Sequence, residues 1–260
     1  MRLHADRGRA ESFGEVAELY DRARPSYPPE LVDALLEGGV RDVLDVGTGT
    51  GIAAQLLARR GCAVLGVEVD ERMAARARER GIAVEVAPFE RWEPRGRSFE
   101  LVIAAQAWHW IEPAAGVRRA AALLRPAGRL ALFWNTGDPP EHVGAVLDPV
   151  YDRLEPALGR GRLSGGSPRG EAPRSAVEAI AAAGRFEPAR IRGFPWSLPY
   201  DGAEWVALLA TRSDHQALPP VRRRRLLDAI ADALARIGDS FEMRYETVLV
   251  DAVLASSSSR

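Results

Sequence analysis

Two carboxylates and three glycines carry the chemistry that stands out in this sequence. Asp45 lies two residues before Gly47 in Asp45-Val-Gly-Thr-Gly-Thr-Gly51, and Glu68 closes the next apolar run. Glycine admits positive φ and lets a ligand approach the backbone, and the helical pattern that follows presents unpaired N–H groups and a positive dipole end. An acid at Asp45 suits an ammonium group, and one at Glu68 can accept two hydrogen bonds from a diol. Further on, Ala105-Gln-Ala-Trp-His-Trp110 places His109 between two tryptophans. His109 reads either as a packed imidazole or as a general base, and Trp108 and Trp110 as core residues or walls of a substrate pocket.

Elements alternating in type must hold these groups. Residues 12–22 and 30–37 read as helices separated by Pro25, Pro28 and Pro29. Strands are expected at 41–46, 63–69, 83–87, 99–104 and 130–134. Helices lie between them, one with Asp70 as N-cap and another beginning near Pro113. Such alternation implies a parallel sheet with right-handed crossovers. Residues 135–175, rich in Pro, Gly and Arg around a helical piece at 143–158, read as an active-site cover or a partly disordered segment. A strand at 186–196, helices at 201–212 and 219–237 and a last strand at 241–254 complete the pattern. Residues 256–259, all serine, read as a frayed tail.

Composition narrows the function classes. The 260 residues are 47% hydrophobic and 27% charged with a net charge of −1, so nothing overall favours a nucleic-acid or membrane partner. Every basic residue other than histidine is arginine, which excludes a lysine Schiff base. The one cysteine, Cys62, rules out an intrachain disulfide and a cysteine-cluster metal site. No run approaches the roughly 18 apolar residues of a membrane span, and the beginning lacks a signal-like apolar core. The expectation is a cytoplasmic protein, monomer or homodimer, acting on a small molecule without a metal. Arg222 to Arg225 fan around their helix rather than forming one basic face.

A dinucleotide would require G-x-G-x-x-G, but the third position falls on Ile52, and Asp45 would repel a pyrophosphate. A ligand with an amino-acid end and a ribose fits both acids, and S-adenosylmethionine is such a ligand. A nicotinamide-dependent oxidoreductase and a non-catalytic cofactor-binding protein of the same fold are the alternatives.

The chain resembles the class I S-adenosylmethionine-dependent methyltransferases over most of its length. Asp45-Val-Gly-Thr-Gly-Thr-Gly51 resembles their first motif, Val67-Glu-Val-Asp70 their acidic second-strand end, and Leu124-Arg-Pro-Ala-Gly128 their L-(R/K)-P-G-G turn, Ala127 departing from it. Tyr20-Asp-Arg-Ala-Arg-Pro-Ser-Tyr-Pro28 and 105–110 are similar to the subgroup that includes trans-aconitate-type methyltransferases. The resemblance implies a doubly wound Rossmann-like fold, with a seven-stranded, mostly parallel sheet, its last strand antiparallel, and a cap. It divides the chain into closing helices (1–40), a cofactor-binding half (41–134), a cap insert (135–185), completing strands and helices (186–254) and a tail (255–260). It implies cofactor contacts from Asp45, Gly47, Thr48, Gly49, Gly51, Glu68 and Val69, an adenine contact at Phe89 and Glu90, and Gln106 beside the methionine part. Tyr20 and Arg24 would close over the cofactor, Arg24 pairing with a carboxylate of cofactor or substrate. Tyr27, Trp108, Trp110 and Trp134 are assigned to the substrate side, and His109 to catalysis.

Overall fold

The computed structural model describes residues 16–158, 170–238 and 240–256; the predicted serine tail and the beginning of the first predicted helix fall mostly outside this range. Helices α1 (Ala17–Ala23) and α2 (Pro29–Leu35) precede strand β1 (Asp42–Val46). Then come α3 (Ile52–Arg59), β2 (Ala63–Glu68), α4 (Glu71–Glu79), β3 (Ala83–Val86), β4 (Phe99–Ala105), α5 (Pro113–Leu123) and β5 (Leu124–Asp138). The second half contains α6 (Glu141–Leu154), α7 (Glu171–Ala183), β6 (Arg190–Asp201), α8 (Gly202–Ala210), α9 (Ser213–Gln216), α10 (Pro220–Leu234) and β7 (Ser240–Val253).

The seven strands lie in the order β3-β2-β1-β4-β5-β7-β6. β7 alone runs antiparallel, to β5 and to β6, as expected. Alternate residues of the central strands feed two cores, because successive side chains leave a strand on opposite faces. Val43, Leu101, Ile103, Ala131 and Phe133 pack beneath α2 and α3, whereas Leu44, Val102, Leu130, Leu132 and Trp134 pack with α5 and α7. Both faces are covered, which is why these strands are apolar throughout.

Helix starts follow local chemistry. Pro29 and Pro113 occupy first-turn positions, where no intrahelical N–H is needed. Glu112 accepts the Ala114 and Ala115 amides. Asp70 caps α4 by accepting the Arg72 amide at 2.8 Å. Removing that cap by Asp70→Ala is expected to cost about 1 kcal/mol and to lower the melting midpoint by roughly 2–4 °C, measured by calorimetry.

The segment predicted as a cover divides in two. β5 continues to Asp138, and α7 lies against α5 in the sheet's own helical layer rather than over the site. The separate lobe consists of α6, α8 and α10 against the far ends of β6 and β7, centred on Tyr151, Trp205, Ile230 and Phe241. Within it His215, placed by sequence at a helix end, is fully buried, with Nδ1 at 2.7 Å from Asp214 and Nε2 at 2.9 Å from the Tyr151 hydroxyl. Arg222 pairs with the buried Glu155 at 2.6 Å, so this arginine joins two helices of the lobe. Among the described residues no helix is long and apolar enough to cross a membrane.

Candidate functional site

β1 ends in a turn that only glycine accommodates cheaply: Gly47, Gly49 and Gly51 have φ of 67°, 57° and 83°. The amides of Gly47 and Thr48 both donate to the Val67 carbonyl, at 2.8 and 3.2 Å, and tie the turn to β2. Gly66 inside β2 has a steric role, since a Cβ there would lie 2.6 Å from Thr48 Cγ2. An isolated glycine in a strand signals such an approach, and the sequence reading overlooked it.

Asp45 is fully buried near the end of β1, two residues before the first glycine. Its Oδ2 accepts the Thr48 hydroxyl at 2.7 Å, and its Oδ1 has no partner. Burial pushes its pKa up to about 7, against the Thr48 hydrogen bond and with the charge of Glu68 adding to the rise. Thr50 Oγ1 is a second buried polar atom without a partner in the turn.

Glu68 already serves the backbone around it. Its carboxylate accepts three backbone amides: Gly49 at 2.8 Å on one oxygen, and Val69 and Asp70 at 2.8 and 3.0 Å on the other. A carboxylate offers about four acceptor sites, so a diol can take two only by displacing one amide. Burial raises the Glu68 pKa, with the three amide hydrogen bonds opposing. Val69 therefore contributes its amide to Glu68.

Around the seat, the structure gathers some of the expected residues and removes others. Tyr27 stands edge-on to Phe133, ring centroids 4.9 Å apart. Its phenol pKa is raised by burial first, then by Tyr20 and by the charge of Asp45. Arg24 lies 4.6 Å over the Tyr20 ring and gives Nε and Nη2 to Thr211, both at 2.9 Å. Its expected carboxylate partner is replaced here by a hydroxyl and a carbonyl of the lobe. Gln106 has φ +57°, uncommon for a side-chain residue, and donates Nε2 to the Asn135 carbonyl at 3.4 Å. Its neighbour Ala107 sits where a Cβ on Gly47 would be 2.6 Å away.

Three of the expected aromatic contacts are packed in the core. Phe89 is buried between Trp108 and the Arg119 guanidinium; Glu90 is half-buried and accepts the Glu112 amide at 3.5 Å. Trp108 is buried against α5, close to Gly116. Trp134 lies in the core with Ala176 and Ile180 of α7, on the face of the sheet opposite Phe133 and Tyr27. His109 and Trp110 remain half-buried on the turn after β4, rings 5.0 Å apart.

A turn of left-handed glycines at the carboxyl end of β1, an acid one strand away and a β7 inserted antiparallel between β5 and β6 define a methyltransferase-type Rossmann-like fold. Residues 43–128 match the family described as Methyltransferase domain. An uncharacterised methyltransferase of Mycobacterium tuberculosis is 40% identical over 153 residues, 55% of this chain and 63% of the relative. The chain thus spans less than two thirds of the length of that relative. A structure from Anaeromyxobacter dehalogenans assigned as a type II methyltransferase superposes with a TM-score of 0.58 at 24% identity, covering 88% of this chain and 97% of that one. The phosphoethanolamine N-methyltransferase 2 of Haemonchus contortus, in complex with phosphomonomethylethanolamine and S-adenosylhomocysteine, has a TM-score of 0.51 at 16% identity, over 98% of this chain and 60% of that one.

Proposed function

We propose that the chain is an S-adenosylmethionine-dependent methyltransferase acting on a small-molecule acceptor. The observation that carries this reading is Asp45, a buried carboxylate with one oxygen held by Thr48 and the other without a partner, beside a glycine turn. Burial of an unpaired carboxylate is costly unless a cation meets it, and the ammonium of an amino-acid ligand is such a cation. The residues fit the rest of that ligand as well. Glu68 can exchange its bond from Gly49 for a ribose hydroxyl, returning a free N–H to the turn. A structure of the same fold holds S-adenosylhomocysteine. The dinucleotide alternative has Ile52 where its third glycine belongs and Asp45 where a pyrophosphate would lie.

When bound, S-adenosylmethionine supplies a methyl group already activated on a sulfonium. The chain's own residues have to bind, orient and exclude water. Asp45, the glycine turn and Glu68 hold the donor, while Tyr27 and the Arg24 strap cover it. A carboxylate acceptor needs no base; a hydroxyl or amine would use His109. The trans-aconitate-type resemblance rests on residues 20–28 and 105–110 and is carried no further than that. Isothermal titration is expected to give a dissociation constant of about 1–100 μM for S-adenosylmethionine, weakened roughly tenfold or more by Glu68→Ala, with NADH giving no heat. Absence of S-adenosylmethionine binding by the intact chain would overturn the reading.

A further inference from the structure

The α1–α2 connection, residues 24–28, crosses the carboxyl end of the sheet, and the only backbone–backbone bonds recorded for it among the described residues are at its two ends, the Arg24 amide to Tyr20 and the Pro28 carbonyl from Leu31. Besides the packing of Tyr27 on Phe133, two side chains hold it by hydrogen bonds. Arg24 reaches out to Thr211, and Asn135 reaches in, donating Nδ2 to the Ser26 carbonyl at 2.9 Å.

Asn135 has a place that no other residue of β5 has. The last register pair of β4 with β5 is Ala105 with Phe133, so Asn135 lies just beyond the end of β4, opposite Thr247 of β7. It is buried, as is Thr247. The orientation of its amide is dictated by donor chemistry. An indole N–H can only donate, and Trp196 Nε1 donates to Thr247 Oγ1 at 2.9 Å. The Ser26 carbonyl can only accept, so Nδ2 is the Asn135 atom that faces it, and Oδ1 takes the Thr247 hydroxyl hydrogen at 2.6 Å. The backbone carbonyl of Asn135 meanwhile receives Gln106, the residue before Ala107, which abuts Gly47.

We propose that Asn135 is a positioning residue that clamps the Arg24–Pro28 strap onto the carboxyl edge of the sheet and so fixes Tyr27 over the seat built by Asp45. The Thr247 hydroxyl bond to Oδ1 holds the clamp's amide in this orientation, and β7 thereby acts on a segment far from it in sequence. The functional consequence rests on the reading of that seat as a site for S-adenosylmethionine: the strap governs escape of the ligand more than its arrival.

Asn135→Asp is the sharpest test, because it keeps the shape and the bond from Thr247 but turns an acceptor toward the Ser26 carbonyl. Hydrogen exchange without ligand is expected to accelerate about tenfold at residues 26, 27 and 31 relative to the rest of the chain. The dissociation rate of S-adenosylhomocysteine, followed by stopped flow, is expected to rise about tenfold, the size of one buried hydrogen bond, with the association rate within a factor of two. Thr247→Val should move both readouts the same way, and Thr247→Ser, which keeps the hydroxyl, should leave them as in the parent; this pair carries the test if Asn135→Asp does not fold. A parent-like exchange rate in both Asn135→Asp and Thr247→Val would overturn the clamp. Failure of the parent chain to bind S-adenosylhomocysteine would overturn the reading of the seat, while the exchange comparison still decides the clamp.

Discussion

Asp45→Asn is expected to make the free protein more stable and to abolish binding of the methyl donor. The native carboxyl has its pKa pushed up to about 7 from the ordinary 3.8. The folded state therefore binds more protons than the unfolded one between these values, and the wild-type chain loses stability as pH rises from about 4 to about 7. Above pH 7 the full cost is present, on the order of 2–4 kcal/mol. Asparagine keeps the size and can still accept the Thr48 hydroxyl, but carries no charge to desolvate. Calorimetry at pH 8 should show a melting midpoint higher by roughly 5–10 °C, with the gain vanishing near pH 4. Donor binding to the wild type should run the other way, tightening as pH rises toward 7, because the bound ammonium requires the charged carboxylate and binding releases a proton. Equal midpoints at pH 8, or an Asp45→Asn chain that binds the donor as the parent does, would show that Asp45 is not the cation seat. Such a gain in stability at the expense of function is the ordinary mark of a binding site.

What could be read before the structure and what could not follow from how local each determinant is. The glycine turn, the Asp70 cap and the Pro29 and Pro113 starts are settled within a few residues by φ preference and by orphan amides, and they appear as expected. β5 was expected to stop at Trp134 because the Pro-, Gly- and Arg-rich segment 135–175 begins there. Ten consecutive pairings with β7, Arg129 through Asp138, override that local preference, and the clamp residue was hidden by the same misreading. α7 was lost in a Pro- and Gly-rich stretch, although Pro173 falls in its first turn, where it is tolerated. The tryptophans illustrate a different limit. Spacing cannot tell which face of a strand end will be roofed, and it is α5 and α7 that enclose Trp108 and Trp134. Glu68 was placed correctly at the turn, but the number of amides it already serves depends on the path of the glycine turn one strand away.

Gly47→Ala is expected to disable the site by a route that a second substitution partly reverses. Two costs fall on one methyl group. A φ of +67° is unfavourable for any residue with a Cβ, by roughly 1–2 kcal/mol. The new Cβ would also meet Ala107 Cβ at 2.6 Å, and alanine has no flexible end to swing aside, so backbone must shift. Together the two should lower stability by about 2–4 kcal/mol and the melting midpoint by roughly 5–12 °C. The shift opens the turn away from the segment after β4, so donor affinity is expected to fall about a hundredfold, comparable to the loss of the whole turn's anion-binding amides. Ala107→Gly removes the clash and leaves the φ cost. The double variant Gly47→Ala with Ala107→Gly should therefore recover about half of the lost stability and at least tenfold in affinity, although Ala107→Gly alone costs about 0.5–1 kcal/mol. Contact between the two positions predicts this non-additivity. If the two losses simply add, the turn and the post-β4 segment do not press on each other, and the link from Gln106 through Ala107 to the donor seat has to be abandoned.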